Sequence, residues 1–558
     1  MRSHRSPHIS IVGLIALAAA AGCADNAYDP NAPAIDPNAP RVHITSPARG
    51  TIAGDVHMIE VKGTATDDSG VVDSVTVNDV TAALGPDGSF DVFVPVKPGT
   101  NLLHAIAKDK QGNVGKESRA VVTGPMATLA REIPQAVTAT LSAQTFDAIG
   151  RGAAGFIKSG DLMSAVQSLN PVLNIGAETG PDCLYAQAYI TSMHVGDADI
   201  LMTPQVGGVF MSANLTNVTV GMHLQWAVAC ADGSRDITIS ASKVSVAGML
   251  DIGLVGRDFD IKLVNPNVTI TGFNLQLGGV PQTIIDMLDL NAMMGPILAW
   301  ATEKFVVPML NKSLAGLNDT KTIDVLGTQV NVDVYPSDIR FTQAGGMVIL
   351  DTSIRAANDS GSFVFVPNTV PTMDMTMGFQ LAMADDTANQ LLTSLWSAKG
   401  LDKSFDLKTG SYGQVGTLYD SVQLDVKVPP YVDASGDKLI LTVGDMVASF
   451  KLGGNVTTQV AVNAQVEIKV TKGTDGKLRF DVGTPTTYVD IIDDGIEGAN
   501  QLSNSEYEAI ASFALSRIIA VGSGSIGAIP LPAVGGVGVT NLSIDSQAGY
   551  LIVAGQIQ

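Results

Sequence analysis

The sequence predicts an α+β chain: an all-β sandwich near the N-terminus, then two units that each read as a sheet interrupted by two amphipathic helices. Three observations carry this. Short alternating segments separated by turn residues run from 41 to 124. Longer period-2 stretches follow, with Thr216, Val218, Val220, Met222 and Leu224 alternating against their neighbours. Apolar residues at helical spacing then recur in four places.

Residues 1–23 have the form of a bacterial lipoprotein signal. Arg2 and Arg5 make a basic start, 9–20 is an apolar stretch, and Ala20-Ala21-Gly22-Cys23 is a small-small-Cys ending. Cleavage before Cys23 leaves that thiol to carry lipid. The competing reading is an ordinary secretory signal with an incidental cysteine, and both take the chain out of the cytoplasm. A multi-acyl anchor holds stably where a single chain holds only marginally. The expected place is therefore the bacterial cell envelope, as an outer-membrane lipoprotein facing the periplasm or the cell surface. Residues 24–40 repeat Asp-Pro-Asn-Ala-Pro at 29 and 36. Proline at this density favours polyproline II, a tether reaching roughly 50 Å.

The sandwich segments are 42–44, 58–65, 72–77, 90–96, 102–107 and 119–122, divided by turns such as Asp68-Ser69-Gly70, Pro86-Asp87-Gly88 and Pro98-Gly99. Asp67, Asp68 and Asp109 offer oxygens to calcium, but without EF-hand spacing they read as turn formers, and no metal site is expected.

A chain of 558 residues exceeds what one core supports, and 46% hydrophobic against 16% charged residues calls for a large buried surface. Past the signal no uncharged apolar run is long enough to span a bilayer. Lys plus Arg number 33 against 54 Asp plus Glu, a formal charge of −21, so nucleic acid is excluded as a partner and anionic membrane surfaces repel most of the chain. Of the three cysteines, Cys183 and Cys230 remain once Cys23 is lipidated, and in an oxidising compartment they read as one disulfide. A metal site or a reactive thiol is the competing reading, and no CxxC or Cys-His spacing accompanies it.

Past Gly124 a first helix is predicted over 142–166, with Phe146, Ile149, Ala153 and Ile157 on one face and Gly150, Gly152 and Gly155 allowing close packing. Strands follow at 185–200, 206–226, 236–246, 249–254 and 259–277. A second long helix starts at Pro281 and carries Ile284, Leu288 and Ile297, with Pro296 and Pro308 as kinks. Strands return over 322–355. From 356 the order repeats: a strand at 373–383, a shorter helix with Leu391 and Leu395, strands between 422 and 492, and a helix near 504 where Ser503 and Glu506 have capping-box spacing and Ile510 and Phe513 share one side. Closing strands lie at 538–542 and 550–553. The expected domains are thus 41–124, 125–355 and 356–558.

The run Gly99-Thr100-Asn101-Leu102, with Ala107-Lys108-Asp109 and Gly112-Asn113, resembles bacterial immunoglobulin-like domains. The remainder resembles the tubular lipid-binding (TULIP) proteins, the family of bactericidal/permeability-increasing protein, lipopolysaccharide-binding protein and the plasma lipid transfer proteins. The likeness lies in Ile-Pro at 133 leading to Leu141-Ser142-Ala143-Gln144, in the long strands of 190–226 closing on Trp226, in 281–314, and in Ile529-Pro530-Leu531-Pro532 before the final strand pair. That resemblance implies two tandem elongated barrels of antiparallel sheet wrapped on long helices, joined by a central sheet, each with a groove for acyl chains. It also implies an internal disulfide in the first barrel. The acidic balance departs from the cationic tip of the endotoxin-binding members.

The function expected is binding of a phospholipid or other acyl-chain lipid, with transfer between membranes as a further step and no cofactor. Phe146, Ile149, Met222, Ile284, Leu288 and Ile297 are the candidates for the first groove, and Leu391, Leu395, Ile510 and Phe513 for the second; each has core packing as its plainer reading. The alternative is a structural or adhesive surface lipoprotein whose sandwich binds a protein or glycan. No enzyme is expected: only His194 and His223 lie beyond the sandwich, with no G-x-S-x-G elbow or Walker loop.

Overall fold

A computed structural model gives the fold; it describes residues 39–68, 70–159, 162–163, 167, 170–177, 183–287, 318–376, 378–408, 415–436, 438–472, 478–493, 506–511 and 539–557. Nine strands come first: β1 (Arg41–Ser46), β2 (Thr51–Gly54), β3 (Met58–Thr66), β4 (Val72–Val77), β5 (Val80–Thr81), β6 (Ala83–Leu84), β7 (Ser89–Pro95), β8 (Gly99–Asp109) and β9 (Val114–Thr123). They form two sheets, ordered β1-β3-β7-β6 and β2-β9-β8-β4-β5, closed on a core that includes Ile44, Val61, Val75, Val94, Leu103 and Val121. Alternation explains the closure, since β7 buries Phe90, Val92 and Val94 and exposes the residues between them. Asp109 ends the β8–β9 turn by accepting from the backbone N–H and the side-chain amide of Asn113, at 2.8 and 2.9 Å, which is the turn-forming role.

The chain then runs through β10 (Met126–Thr128), β11 (Ile133–Ser142), α1 (Ala143–Ser159), β12 (Leu173–Ala177), β13 (Leu184–Gln205), β14 (Gly208–Val228), β15 (Ala231–Val255), β16 (Asp258–Thr271), β17 (Asn274–Gln276) and α2 (Gln282–Met287). Strands β12 to β16 make one sheet in sequence order, with β17 against β15. Next come β18 (Asp319–Val325), β19 (Thr328–Thr342), β20 (Gly345–Ala356), β21 (Ser362–Val364), β22 (Phe379–Ala384), α3 (Asp385–Ser397), β23 (Lys403–Asp406), α4 (Val415–Leu418), β24 (Ser421–Val426), β25 (Tyr431–Asp433), β26 (Leu439–Leu452), β27 (Asn455–Lys472), β28 (Leu478–Val482) and β29 (Thr486–Asp493). A helix α5 over 506–511 precedes β30 (Val539–Gln547) and β31 (Tyr550–Ile557).

A central sheet ordered β18-β19-β20-β11-β22-β31-β30 ties the chain together. Its middle strand β11 pairs β20 on one side and β22 on the other, so residues near 137 sit between residues near 350 and 383. The last sheet runs β23-β24-β26-β27-β28, with β25 against β26 and β29 against β27.

The expected α+β class with barrels wrapped on long helices is not what the chain adopts. Among the described residues 65% lie in strands and 11% in helices, and the helices are short. α1 is described over 17 residues to Ser159, with 162–163 helical again and 160–161 and 164–166 outside the described residues; α3 has 13, and α2 is described for only six. The reason lies in the strands. β13, β14 and β15 extend over 22, 21 and 25 residues, and β15 merges two predicted strands through an irregularity between Ala247 and Met249. Alternating burial over that length gathers the apolar side chains on one sheet face, so the sheet and not the helices carries most of the core. The continuation of the second helix, with Leu288 and Ile297, and Phe513 of the fourth lie outside the described residues, as does Cys23.

Candidate functional site: an apolar sheet face

The β12–β16 sheet turns one face toward α1 and α2. On β14 that face carries Val209, Met211, Leu215, Val218, Val220, Met222, Leu224 and Trp226, and across the ladder Leu250, Val246, Val244, Ala241, Ile239 and Ile237 answer from β15. One break in alternation occurs at Asn217, whose positive φ of 50° lets the strand bend while both sides keep their apolar residues inward. Val220 touches both apolar clusters, so the face is continuous from end to end.

α1 covers one end of it. Phe146 is buried and stands 6.2 Å from the Phe341 ring, while Ile149, Ala153 and Ile157 are partly buried on the same cluster. Gly150 makes the close approach: a Cβ there would lie 2.4 Å from the Ile200 carbonyl oxygen, so only glycine fits. α2 covers the other end, where Ile284 is fully buried with Met222, Leu224, Trp226 and Ile237. Beside this end the Cys183–Cys230 disulfide joins the start of β13 to the turn after β14. It closes 47 residues, which in the chain-entropy account stabilises the fold by roughly 4 kcal/mol.

Among the described residues the face between the two helices is only half covered. β14 spans roughly 70 Å at about 3.4 Å per residue. The described helices supply roughly 26 Å from α1 and roughly 9 Å from α2, at about 1.5 Å per residue. Met193, Leu215, Val220, Ile239, Leu263, Val268 and Ile270 accordingly remain partly solvated although they point inward. The charges around the face are largely cancelled: Lys158 pairs with Asp197 at 2.8 Å, Arg257 with Glu132 at 2.7 Å, Arg151 with Asp147 and Lys262 with Asp260. Arg257 also stacks 3.7 Å above the Tyr335 ring.

The second set of candidates is not brought together. Leu391 and Leu395 pack on Val325, Val330 and Val332 of the central sheet, whereas Ile510 lies against the cluster built from β24, β26 and β27. The α3 residues that meet Ile510's cluster are Ala388, Leu392 and Trp396, on the adjoining face of the helix. Clefts of about 420 Å³, beside Ile52 and Trp396, and about 550 Å³, beside Phe210 and Met249, are lined by none of the expected lipid contacts.

Two polar constellations carried no signal in the sequence. α3 buries Asp385, Asp386, Asn389, Gln390 and Ser394. Asn389 accepts from the Val432 N–H at 2.7 Å and donates to its carbonyl at 2.9 Å, Gln390 accepts from Ile354 and donates to Leu129 and Arg131, and Asp385 accepts from Ala434 and Asn368. Burial pushes Asp385 up to about 6; burial, and then the Asp385 charge, pushes Asp386 to about 7. The other constellation docks the sandwich. Arg49 reaches Asp445 at 2.6 Å and both Glu117 and Asp490 at 3.4 Å, partners up to 441 positions away. Such distances leave no local pattern to read.

Among the described residues no group of three His, Cys, Asp or Glu side chains is arranged to hold a metal ion, and no helix is long and apolar enough to cross a membrane. Residues 40–124 match the family described as glucodextranase, domain B. No curated protein matches the chain. Among solved structures, lipopolysaccharide binding protein is similar at 12% identity and a TM-score of 0.35, over 76% of this chain and 99% of that one. P47 from Clostridium botulinum A2 is similar at 10% identity and a TM-score of 0.25, over 76% of this chain and 98% of that one.

Proposed function

We propose that the chain is a lipid-anchored protein of the bacterial cell envelope that holds the acyl chains of a phospholipid, or a lipid of similar build, against the inner face of its long first sheet. One observation carries the reading: that face is apolar along the described strands, yet its middle residues, such as Leu215, Val220 and Ile239, are only partly buried. Covering it with acyl chain removes both surfaces from water, at roughly 0.8 kcal/mol per buried methylene, with no need of a charged head-group contact. The anchor is supported by Arg2, Arg5, the apolar stretch over 9–20 and Cys23. Carriage between membranes would follow if loading is reversible, and the reading contains no catalytic step.

The scaffold reading has one observation in its favour: Phe146, Met222, Ile284, Leu391 and Leu395 are each less than a tenth exposed and serve as core. Native mass spectrometry of the form lacking residues 1–23, with extraction of co-purified lipid, separates the two. Lipid in near-stoichiometric amount is expected, and Leu215→Asp should abolish it while the secondary structure stays intact. Repeated recovery of lipid-free protein would leave the scaffold.

A further inference from the structure

The sandwich is docked, and its contact surface is ionic at one end and apolar at the other. The apolar end joins Leu102, Ala120 and Val122 to Val364 and Val428. The ionic end gathers two guanidinium groups and three carboxylates in a region nearly closed to water. Arg49, between β1 and β2, bonds Asp445 of β26 at 2.6 Å and lies 3.4 Å from Asp490 of β29 and Glu117 of β9; Arg119 bonds Glu117 at 2.7 Å. Asp490 also accepts from the Ser118 N–H at 3.0 and 3.1 Å, and Asp445 from the Gly50 N–H at 3.4 Å. With every group ionised the cluster carries one uncompensated negative charge, which a buried site tolerates poorly.

We propose that the sandwich is a detachable domain whose docking onto β26 and β29 is controlled by one proton held on this carboxylate cluster, firm in mildly acidic solution and loosened as the proton leaves. Asp490 is the seat of that proton. Burial, only partly opposed by Arg49, pushes it up to about 7, and Asp445 is moved in the same direction by the same cause. Once undocked, Asp490 returns to the ordinary value of 3.8. A group raised in the docked state favours docking fully below its ordinary value and loses that contribution as the pH rises through the docked value.

Other titratable groups face the cluster, and the Asp490→Asn chain separates their contribution from that of Asp490. His104 of β8, stacked 3.8 Å from Tyr488 of β29, is lowered by burial to about 4 and stays neutral across the range. His43 of β1 meets Glu117 at 3.1 Å from the solvent side. Lys116 of β9 faces Glu508 of α5, and Asn463 of β27 accepts from the Asp445 N–H at 2.7 Å.

The test is hydrogen exchange at the Ser118 and Gly50 amides of the full chain between pH 5.5 and 9, expressed as protection relative to an unstructured amide, with X-ray scattering alongside. Protection should fall about tenfold per pH unit from pH 5.5 to about 7 and level off above it, with a radius of gyration that grows over the same interval, as loss of one proton requires. Asp490→Asn, which keeps an acceptor and carries no charge, should hold protection across the range. Wild-type protection that does not change with pH, or an Asp490→Asn chain that loosens in step with the wild type, would overturn the proposal. If Asp490→Asn does not fold, the wild-type profile and its scattering decide alone.

Discussion

The two long sheets are built from similar strands and are buried differently. On β26 eight consecutive residues, 441 to 448, are buried, because α3, α4 and α5 lie on one face and the sandwich on the other. On β15, from Ala241 to Leu250, buried residues alternate with less buried ones, because nothing among the described residues covers the outer face and the helices reach only part of the inner one. A sheet covered on both sides is committed to holding the molecule together. A sheet half covered on its apolar side is the one with surface left for a ligand, which is why the lipid reading belongs to β12–β16.

The contrast can be broken at the hub first. Arg49→Ala removes the guanidinium shared by Asp445 and Asp490 and leaves both carboxylates buried, a loss of about 3–5 kcal/mol for a broken buried pair. Calorimetry should show a lowered melting transition for the sandwich and second sheet, with lipid binding by the first sheet retained. An equal loss of lipid would show that the two sheets are not independent.

Next in size, Cys183→Ala should cost roughly 4 kcal/mol at the far end of the first sheet under oxidising conditions. Its melting temperature should no longer respond to a reductant, whereas the wild type's should fall. Gly150→Ala sharpens the other end: the added methyl collides with the Ile200 carbonyl, so α1 must lift, at about 1–3 kcal/mol. That variant should bind lipid differently from the wild type while leaving the sandwich unaffected, which titration with a fluorescent fatty acid can measure.

The smallest effect is in the pH profile of the buried polar side of α3. Asp385 and Asp386 are raised above their ordinary 3.8, so the folded state prefers them protonated. Stability from that preference is complete below the ordinary 3.8, declines as the pH rises toward about 6 for Asp385 and about 7 for Asp386, and is level above those values. The decline is roughly 1.4 kcal/mol per pH unit per proton. Asp386→Asn should flatten the fall in melting temperature between about pH 4 and 7. A profile as steep as the wild type's would assign the proton elsewhere.

Legibility followed the range of the interactions. Val92 and Val94 in the sandwich, the alternating run from Thr216 to Leu224 and the apolar face of α1 are all visible over a few residues, because burial on one face writes a period of two or 3.6 into the chain. The helix carrying Leu391 and Leu395 was visible too, but not its orientation. With apolar residues on one side and Asp385, Asn389 and Gln390 on another, either side could have faced the sheet. The polar side is buried only because Val432, Ala434 and Ile354 happen to present backbone groups to it.

By itself the sequence determined the strands and their inward residues and the pairing available to Cys183 and Cys230, since each rests on local periodicity or on composition. Only the tertiary structure decided that helices would be short, that β11 would sit between β20 and β22, and that Arg49 would meet Asp445 and Asp490. Those outcomes depend on which distant surfaces come to share a boundary, and the free energy of burying a charge or a backbone amide has no value until its partner is in place.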